Sequence, residues 1–151
     1  MHVRLGVFAD EDTIVELTKL DVAETLPHLD CEEARVRETY RQYLRTAAPT
    51  VFVADDNGVV IGFLMAYIHG YAFTSGIFTV QEVLYVKPGS RGTRAAAQLM
   101  AEFVRWSDML HARESFGGNS NGFNSERTAR FLEHFGFRKV GYSMKRVPGQ
   151  T

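Results

Sequence analysis

Cysteine is almost absent from these 151 residues: Cys31 stands alone, so neither an internal disulfide nor a cysteine metal cluster can form. It reads as an ordinary thiol at a helix start, or as one mildly activated by that helix. Only four prolines occur, and no charge run or low-complexity linker divides the chain. No stretch approaches the roughly 18 apolar residues that span a membrane. Met1-His2-Val3-Arg4 leads straight into a strand-like pattern with no apolar signal core. The expectation is a soluble, cytoplasmic protein without membrane contact. Excess charge is lacking too. With 17 Lys and Arg against 18 Asp and Glu, the net charge of −1 argues against a general nucleic-acid binder, whose affinity needs many phosphate contacts. The length suits a single domain over 1–151 with a sizeable core.

What is present centres on the stretch from Thr79 to Met100. Val83, Leu84, Tyr85 and Val86 form a β-branched and aromatic run that stops at Lys87-Pro88-Gly89, the pattern of a buried strand ended by a turn. Ser90-Arg91-Gly92-Thr93-Arg94 follows, and a small-residue helical run begins at Ala95. A strand that turns through glycines into such a helix leaves N–H groups free at the positive end of the helix dipole. That is an anion site, best suited to a phosphate. An ordinary strand, turn and helix without a ligand stays open at this point.

Residues 3–8 alternate as a half-buried strand, and Asp10, Glu11 and Asp12 crowd the first turn of a helix to about Val22. Asp30 and Glu33 have capping-box spacing, and Val36, Tyr40, Tyr43, Leu44 and Ala47 then share a helical face. Residues 51–54 and 59–68 flank Asn57-Gly58, a strong hairpin signal. Residues 70–78 read as an extended aromatic hairpin loop that either lines a pocket or closes the hairpin end. After the central strand, Ala96, Leu99, Met100, Phe103, Val104 and Met109 stripe a helix ending near His111. A short strand at 113–116, a helix at 125–135 capped by Gly136, and a last strand at 137–147 complete the chain. The order is β-α-α-β-β-β-α-β-α-β, an α/β mixed sheet with helices on both faces.

This order, with two separated motifs, resembles the GNAT superfamily of N-acetyltransferases over nearly the whole chain. Leu84-Tyr85-Val86-Lys87-Pro88 followed by Arg91-Gly92-Thr93-Arg94-Ala95-Ala96 is similar to that family's strand and pyrophosphate loop, Arg/Gln-x-x-Gly-x-Gly/Ala. Ser125 to Phe137, ending in Phe135-Gly136-Phe137, is similar to the helix that runs into a Gly-Phe and the final strand. The resemblance implies the GNAT fold, a central, mostly antiparallel mixed sheet flanked by helices on both faces. It implies acetyl-CoA as co-substrate, no metal, and transfer of acetyl to a primary amine by direct attack in a ternary complex. The backbone of Leu84 and Val86 is then expected to bind the pantetheine arm. N–H groups of Arg91, Gly92, Thr93, Arg94, Ala95 and Ala96 are expected to hold the pyrophosphate, with Ser125 and Phe131 of the second motif also facing the cofactor. Dimerisation is frequent in the family, which leaves a homodimer open.

Two positions depart from the family pattern. Arg94 stands where glycine is usual; helical φ/ψ permits it, and it either points outward or adds a cation for a phosphate. Leu132, four residues before Gly136, stands where many members carry the tyrosine that protonates the leaving thiolate. Glu82, four residues before Val86, takes the place where some members put a base, against a salt-bridged strand residue as the plainer reading. Tyr85 and Tyr142 are candidate acids, with core packing as their alternative. His69, His111 and His134 read as element ends or helix surface, and Asn119, Asn121 and Asn124 as turn formers. Residues 26–43 and 70–78 are expected to wall the acceptor site, where Glu24, Asp30, Glu32 and Glu33 point to a cationic amine. Two other readings stand beside the enzyme. One is a GNAT-like CoA-binding or interaction module without turnover. The other is a nucleic-acid-associated modifier using Arg138, Lys139, Lys145 and Arg146, which the near-neutral charge disfavours.

Overall fold

The runs rich in Val, Ile, Phe and Tyr pair in chain order. The computed structural model, which describes residues 1–119 and 121–150, joins β1 (His2–Leu5), β2 (Thr50–Asp56), β3 (Val59–Gly70), β4 (Ile77–Val86) and β5 (Glu114–Phe116) into one sheet in that sequence. β1 to β4 are mutually antiparallel, and β5 joins β4 in parallel. Asn57 and Gly58 turn the β2–β3 hairpin with φ of 53° and 88°, the left-handed region that a two-residue turn demands. Gly58 N–H donates to Asp55 Oδ1 at 2.6 Å, and Arg4 Nε donates to the other oxygen at 3.0 Å.

Side chains alternate across the sheet, so the central strands feed two cores. Val51, Val53, Val60, Phe63 and Tyr85 face α1 (Glu11–Thr25) and α2 (Glu33–Thr46), meeting Ile14, Leu17, Tyr40 and Tyr43. Phe52, Ala54, Ile61, Leu64 and Val86 face α3 (Ala95–Met109) and α4 (Ser125–Glu133), meeting Leu99, Met100, Phe103 and Leu132. β2 is buried on both faces and therefore reads as an unbroken apolar run. Phe103 has no exposed surface, and its truncation to Ala would cost about 3–5 kcal/mol.

Two polar devices fix α2, one against α1 and one against the connection between β1 and α1. Glu11 is buried between Arg41, at 2.7 and 3.0 Å, and Arg37, at 2.8 Å, which together hold its carboxyl below the usual range. Tyr40 and Tyr43 donate their hydroxyls to the carbonyls of Val7 and Gly6 at 2.7 and 2.8 Å. A Cβ on Gly6 would stand 2.5 Å from the Tyr40 hydroxyl, so this close approach needs glycine.

Several expectations are corrected. The Asp30–Glu33 capping box does not form: Glu32 is the N-cap, with no side-chain cap bond, and Glu33 instead binds Arg37 and Lys19 at 2.7 and 3.2 Å. Ala47 is the exposed left-handed C-cap of α2 rather than part of its apolar face. Pairing of His69 with Phe78 and Gly70 with Ile77 carries the hairpin further than expected, leaving only residues 71–76 as loop. The last strand is absent. Residues 137–147 belong to no element, and Val140, Tyr142 and Met144 are 75%, 97% and 91% exposed. Alternation specifies a strand that needs a ladder partner and one covered face, and among the described residues this segment pairs with neither β1 nor β5, the edge strands of the sheet. Among the described residues, no helix is long and apolar enough to cross a membrane.

Candidate active site

β4 loses a neighbour midway along its length. It pairs with β5 through Phe78, Thr79 and Val80, and from Gln81 to Val86 that edge has no ladder partner among the described residues. Two buried polar side chains account for the parting. Thr79 Oγ1 lies 2.7 Å from Ser107 Oγ of α3 and 2.8 Å from Ser115 Oγ of β5, which pins the joined half. Gln81 then accepts the Gly118 N–H at 3.2 Å, so a side-chain amide takes a bond that a continuing β5 would have given to the β4 backbone. A Cβ at Gly117 would stand 3.2 Å from the same amide oxygen. The sequence reading missed Thr79 and Gln81; polar residues two apart in an apolar strand were the available signal.

Leu84 and Val86 lie in the open half of β4 with their side chains on the α3 core. The Val86 carbonyl already accepts Arg91 Nε at 3.0 Å, which leaves it less to offer a ligand than Leu84. Beyond Val86 the loop to α3 is ordered from within. Thr93 Oγ1 donates to the Ser90 carbonyl at 2.7 Å and accepts the Ala95 N–H at 3.3 Å. Gly92 adopts φ +85°, and Arg94 sits at φ −83°, ψ 5°, a conformation open to any residue. The N–H groups of Gly92, Thr93 and Arg94 make no hydrogen bond among the described residues. Those of Ala96 and Ala97 lack partners as first-turn groups of α3, whose first internal bond is Gln98 N–H to the Arg94 carbonyl. Small side chains and a positive helix end make this a cradle for an anion.

The two arginines of the loop do different things. Arg91 turns away from the cradle, both terminal nitrogens 2.7 Å from the Glu24 carboxylate of α1, its guanidinium 5.4 Å above the Tyr85 ring. Arg94 is exposed and has no ion-pair or hydrogen-bond partner among the described residues.

Glu82 is the extra residue of a β-bulge. Met65 faces Val83 and Ala66 faces Gln81, so Glu82 has no partner in β3. It is exposed, two residues past the point where β4 and β5 part. Tyr67 senses it: burial first, and then the Glu82 charge, push that phenol above its ordinary value. A cavity of about 220 Å³ opens nearby between α1, α2 and the sheet, floored by Phe63, Met65 and Val83 and rimmed by Thr18, Asp21 and Arg35. Asp21, absent from the sequence candidates, accepts the Thr25 hydroxyl at 3.3 Å. Burial raises its carboxyl above the usual carboxylate range, and the neighbouring Glu24 charge adds to that. Glu32 and Glu33 pair with arginine or lysine instead of facing the cavity.

Other candidates fall elsewhere. Tyr85 is 4% exposed, its hydroxyl has no hydrogen-bond partner among the described residues, and burial pushes its phenol upward. Tyr142 stands in solvent on a segment outside every element, so the chain does not bring it to the cleft. Leu132 is sealed in the α3 core, 5% exposed. Phe131 is half-buried, edge-on to Phe135 at 5.2 Å, and Ser125 donates to Asn119 Oδ1 at 3.0 Å. The aromatic residues 71–78 stack among themselves and on Phe116 rather than lining the cavity.

A family model described as an acetyltransferase (GNAT) domain matches residues 47–139. No curated protein matches the chain in sequence. Solved structures share its fold. A predicted acetyltransferase with acetyl-CoA from Clostridium acetobutylicum has a TM-score of 0.77 at 14% identity, covering 97% of this chain and 95% of that one. An aminoglycoside N-acetyltransferase, AAC(6')-Iy, in complex with CoA has a TM-score of 0.78 at 20% identity, covering 98% and 94%. A ribosomal-protein-alanine N-acetyltransferase from Brucella melitensis has a TM-score of 0.73 at 14% identity, covering 97% and 99%.

Proposed function

Because this chain belongs to the GNAT acetyltransferase family, we propose that it transfers acetyl from acetyl-CoA to a primary amine by direct attack within a ternary complex. The observation that carries this reading is the parting of β4 from β5 beyond Val80, beside the unclaimed N–H groups ahead of α3. An amide-bearing arm can add to the open edge of β4 while its phosphates meet a helix N-terminus. Gly92, Thr93, Arg94 and Ala96 hold the pyrophosphate through their N–H groups, and the Arg94 guanidinium adds charge.

Acetyl-CoA supplies an activated thioester; the chain supplies position, charge and a base. A lysine-like amine stays protonated until about pH 10, so removing its proton is the larger demand. Glu82 does this directly or through one water, from a bulge beside the cleft. A free thiolate has a pKa of roughly 8.5, so water or the ammonium formed by attack protonates the leaving group without a dedicated tyrosine. Proximity of the two reactants supplies much of the rate. The cavity rimmed by Asp21 suits an acceptor with an apolar body and a second positive charge.

Leu132, buried where a tyrosine is usual, favours a second reading: a domain that binds CoA without turnover. CoA release with pooled primary amines, measured beside thermal unfolding with acetyl-CoA, separates the two. Ligand at 100 times its Kd stabilises the fold by about 2.7 kcal/mol. Stabilisation with amine-dependent CoA release supports the enzyme, and stabilisation without release selects the binding domain. The absence of both a melting shift and calorimetric heat at millimolar acetyl-CoA rejects both.

A further inference from the structure

The sheet face that floors the cavity does not end there. Along β3, Phe63 and Met65 lie in the cavity, the Tyr67 hydroxyl stands 3.9 Å from Met65 Sδ, and His69 stacks on Tyr67 at 6.1 Å. Residues two apart in a strand share a face, so this row runs for about 20 Å. Phe78 of β4 stacks on His69 at 5.3 Å, and Phe116 of β5 meets Phe78 edge-on at 5.6 Å. Thr79 and Ser115 bond to one another, and Thr79 to Ser107 of α3, on the opposite face. Tyr67 and Phe78 are half-buried, and His69 and Phe116 are exposed.

Glu82 stands between the two halves of this face. On one side of it Val83 floors the cavity; on the other Val80 pairs with Tyr67 among the aromatic rings. Acids mark both ends. Asp21 rims the cavity, and Glu114, level with Phe78 in the ladder, accepts the Tyr71 hydroxyl at 2.7 Å. Arg35, also on the rim, is paired with Glu32 at 3.2 Å. The cavity holds about 220 Å³. That is less than the roughly 300–1,000 Å³ that encloses a drug-sized ligand, and it suits a single side chain.

Resting on the acetyl-transfer reading above, we propose that the acceptor is a lysine within an extended polypeptide segment, with a basic neighbour on one side in the Asp21 cavity and an aromatic neighbour on the other against Tyr67, His69, Phe78 and Phe116. The place of Glu82 carries this. A small amine, or the free amino end of a chain, reaches Glu82 from one side and leaves the other half of the face unused. An internal lysine has chain on both sides, and about six extended residues span 20 Å. The stem of an arginine or lysine fits an apolar floor while its charge meets Asp21. A further aromatic ring extends a set already packed in stacked and edge-on pairs. The lysine Nζ–C bond forms as the thioester C–S bond breaks. Of the two protons the ammonium gives up, one ends on the CoA sulfur and the other in solvent.

Kinetics of the full chain with acetyl-CoA and N-terminally acetylated hexapeptides tests this. Each peptide holds one central lysine, flanked either by arginine and phenylalanine or by glycines; lysine amide and hexylamine serve as small amines. The Arg/Phe peptide is expected to exceed the glycine peptide and both small amines in kcat/KM by roughly tenfold or more. His69→Ser and Phe116→Ser, at exposed positions, are expected to fold and to shrink the preference for the Phe-flanked peptide over the glycine peptide toward one. Small amines turned over as well as the peptides overturn the proposal and leave acetyl transfer standing. So does an unblocked peptide that mass spectrometry finds acetylated at its α-amine instead of its lysine. A flanking preference that persists in both variants removes the aromatic face and overturns the proposal too. Absence of CoA release with every amine rejects acetyl transfer itself, and this proposal with it.

Discussion

Arg91 and Glu24 meet as a two-pronged ion pair, each terminal guanidinium nitrogen 2.7 Å from a carboxylate oxygen, tying the loop ahead of α3 to the end of α1. The neighbouring Arg94 has no ion-pair partner among the described residues. One arginine orders the cradle and the other is available to its ligand.

Substitution should separate these roles. With side chains 42% and 25% exposed, the Arg91–Glu24 pair contributes only about 0.5–1 kcal/mol after solvent screening. Arg91→Glu sets two carboxylates together, so the melting temperature falls and CoA binds more weakly. Adding Glu24→Arg restores most of the stability. Arg94→Ala leaves melting unchanged within about 1 °C but raises the Kd for CoA roughly three- to tenfold. Calorimetric titration showing parental affinity for Arg94→Ala would place the phosphates elsewhere.

Glu82→Gln is expected to lower kcat/KM by roughly ten- to a thousandfold at pH 7, with recovery as the amine deprotonates at higher pH. Its exposed place on a bulge predicts an unchanged melting temperature. Full activity in this variant from acid to alkaline pH would make Glu82 a structural carboxylate.

Asp21 predicts a pH-dependent stability. Its carboxyl is raised above the ordinary 3.8 by burial, so the folded chain holds the proton more tightly than the unfolded one. Its favourable contribution is complete below about pH 3.8 and is lost as pH rises through the folded-state value, leaving an ionised group that burdens the fold at neutrality. Asp21→Asn should therefore raise Tm by a few degrees at pH 7, with the gap closing toward pH 4. A pH-independent gap would remove burial as the cause. The same variant should raise KM for a cationic acceptor more than for a neutral one.

Tyr85→Phe removes a buried hydroxyl that has no partner among the described residues, so it is expected to be neutral or stabilising by roughly 1 kcal/mol, with turnover retained. Tyr142→Phe should change the chemical step little, since that ring stands in solvent within one chain. Loss of turnover in Tyr85→Phe without loss of folding would identify Tyr85 as the acid.

Local chemistry determined most of the fold before any contact was known. Asn57-Gly58 specified its hairpin because few residues tolerate two successive left-handed conformations. The run from Val83 to Arg94 specified strand, turn and helix start because β-branching, Pro88 and Gly92 each restrict the backbone on their own. The split between Arg91 and Arg94 was not legible, because it depends on Glu24, 67 residues away along the chain and brought alongside only by packing of α1. Asp21 and Gln81 became visible for the same reason: an acid inside a helix and an amide inside a strand acquire meaning from what faces them. The alternation of residues 137–147 specified a strand, yet a strand is made by its ladder as much as by its own pattern, and among the described residues this segment pairs with no edge of the sheet.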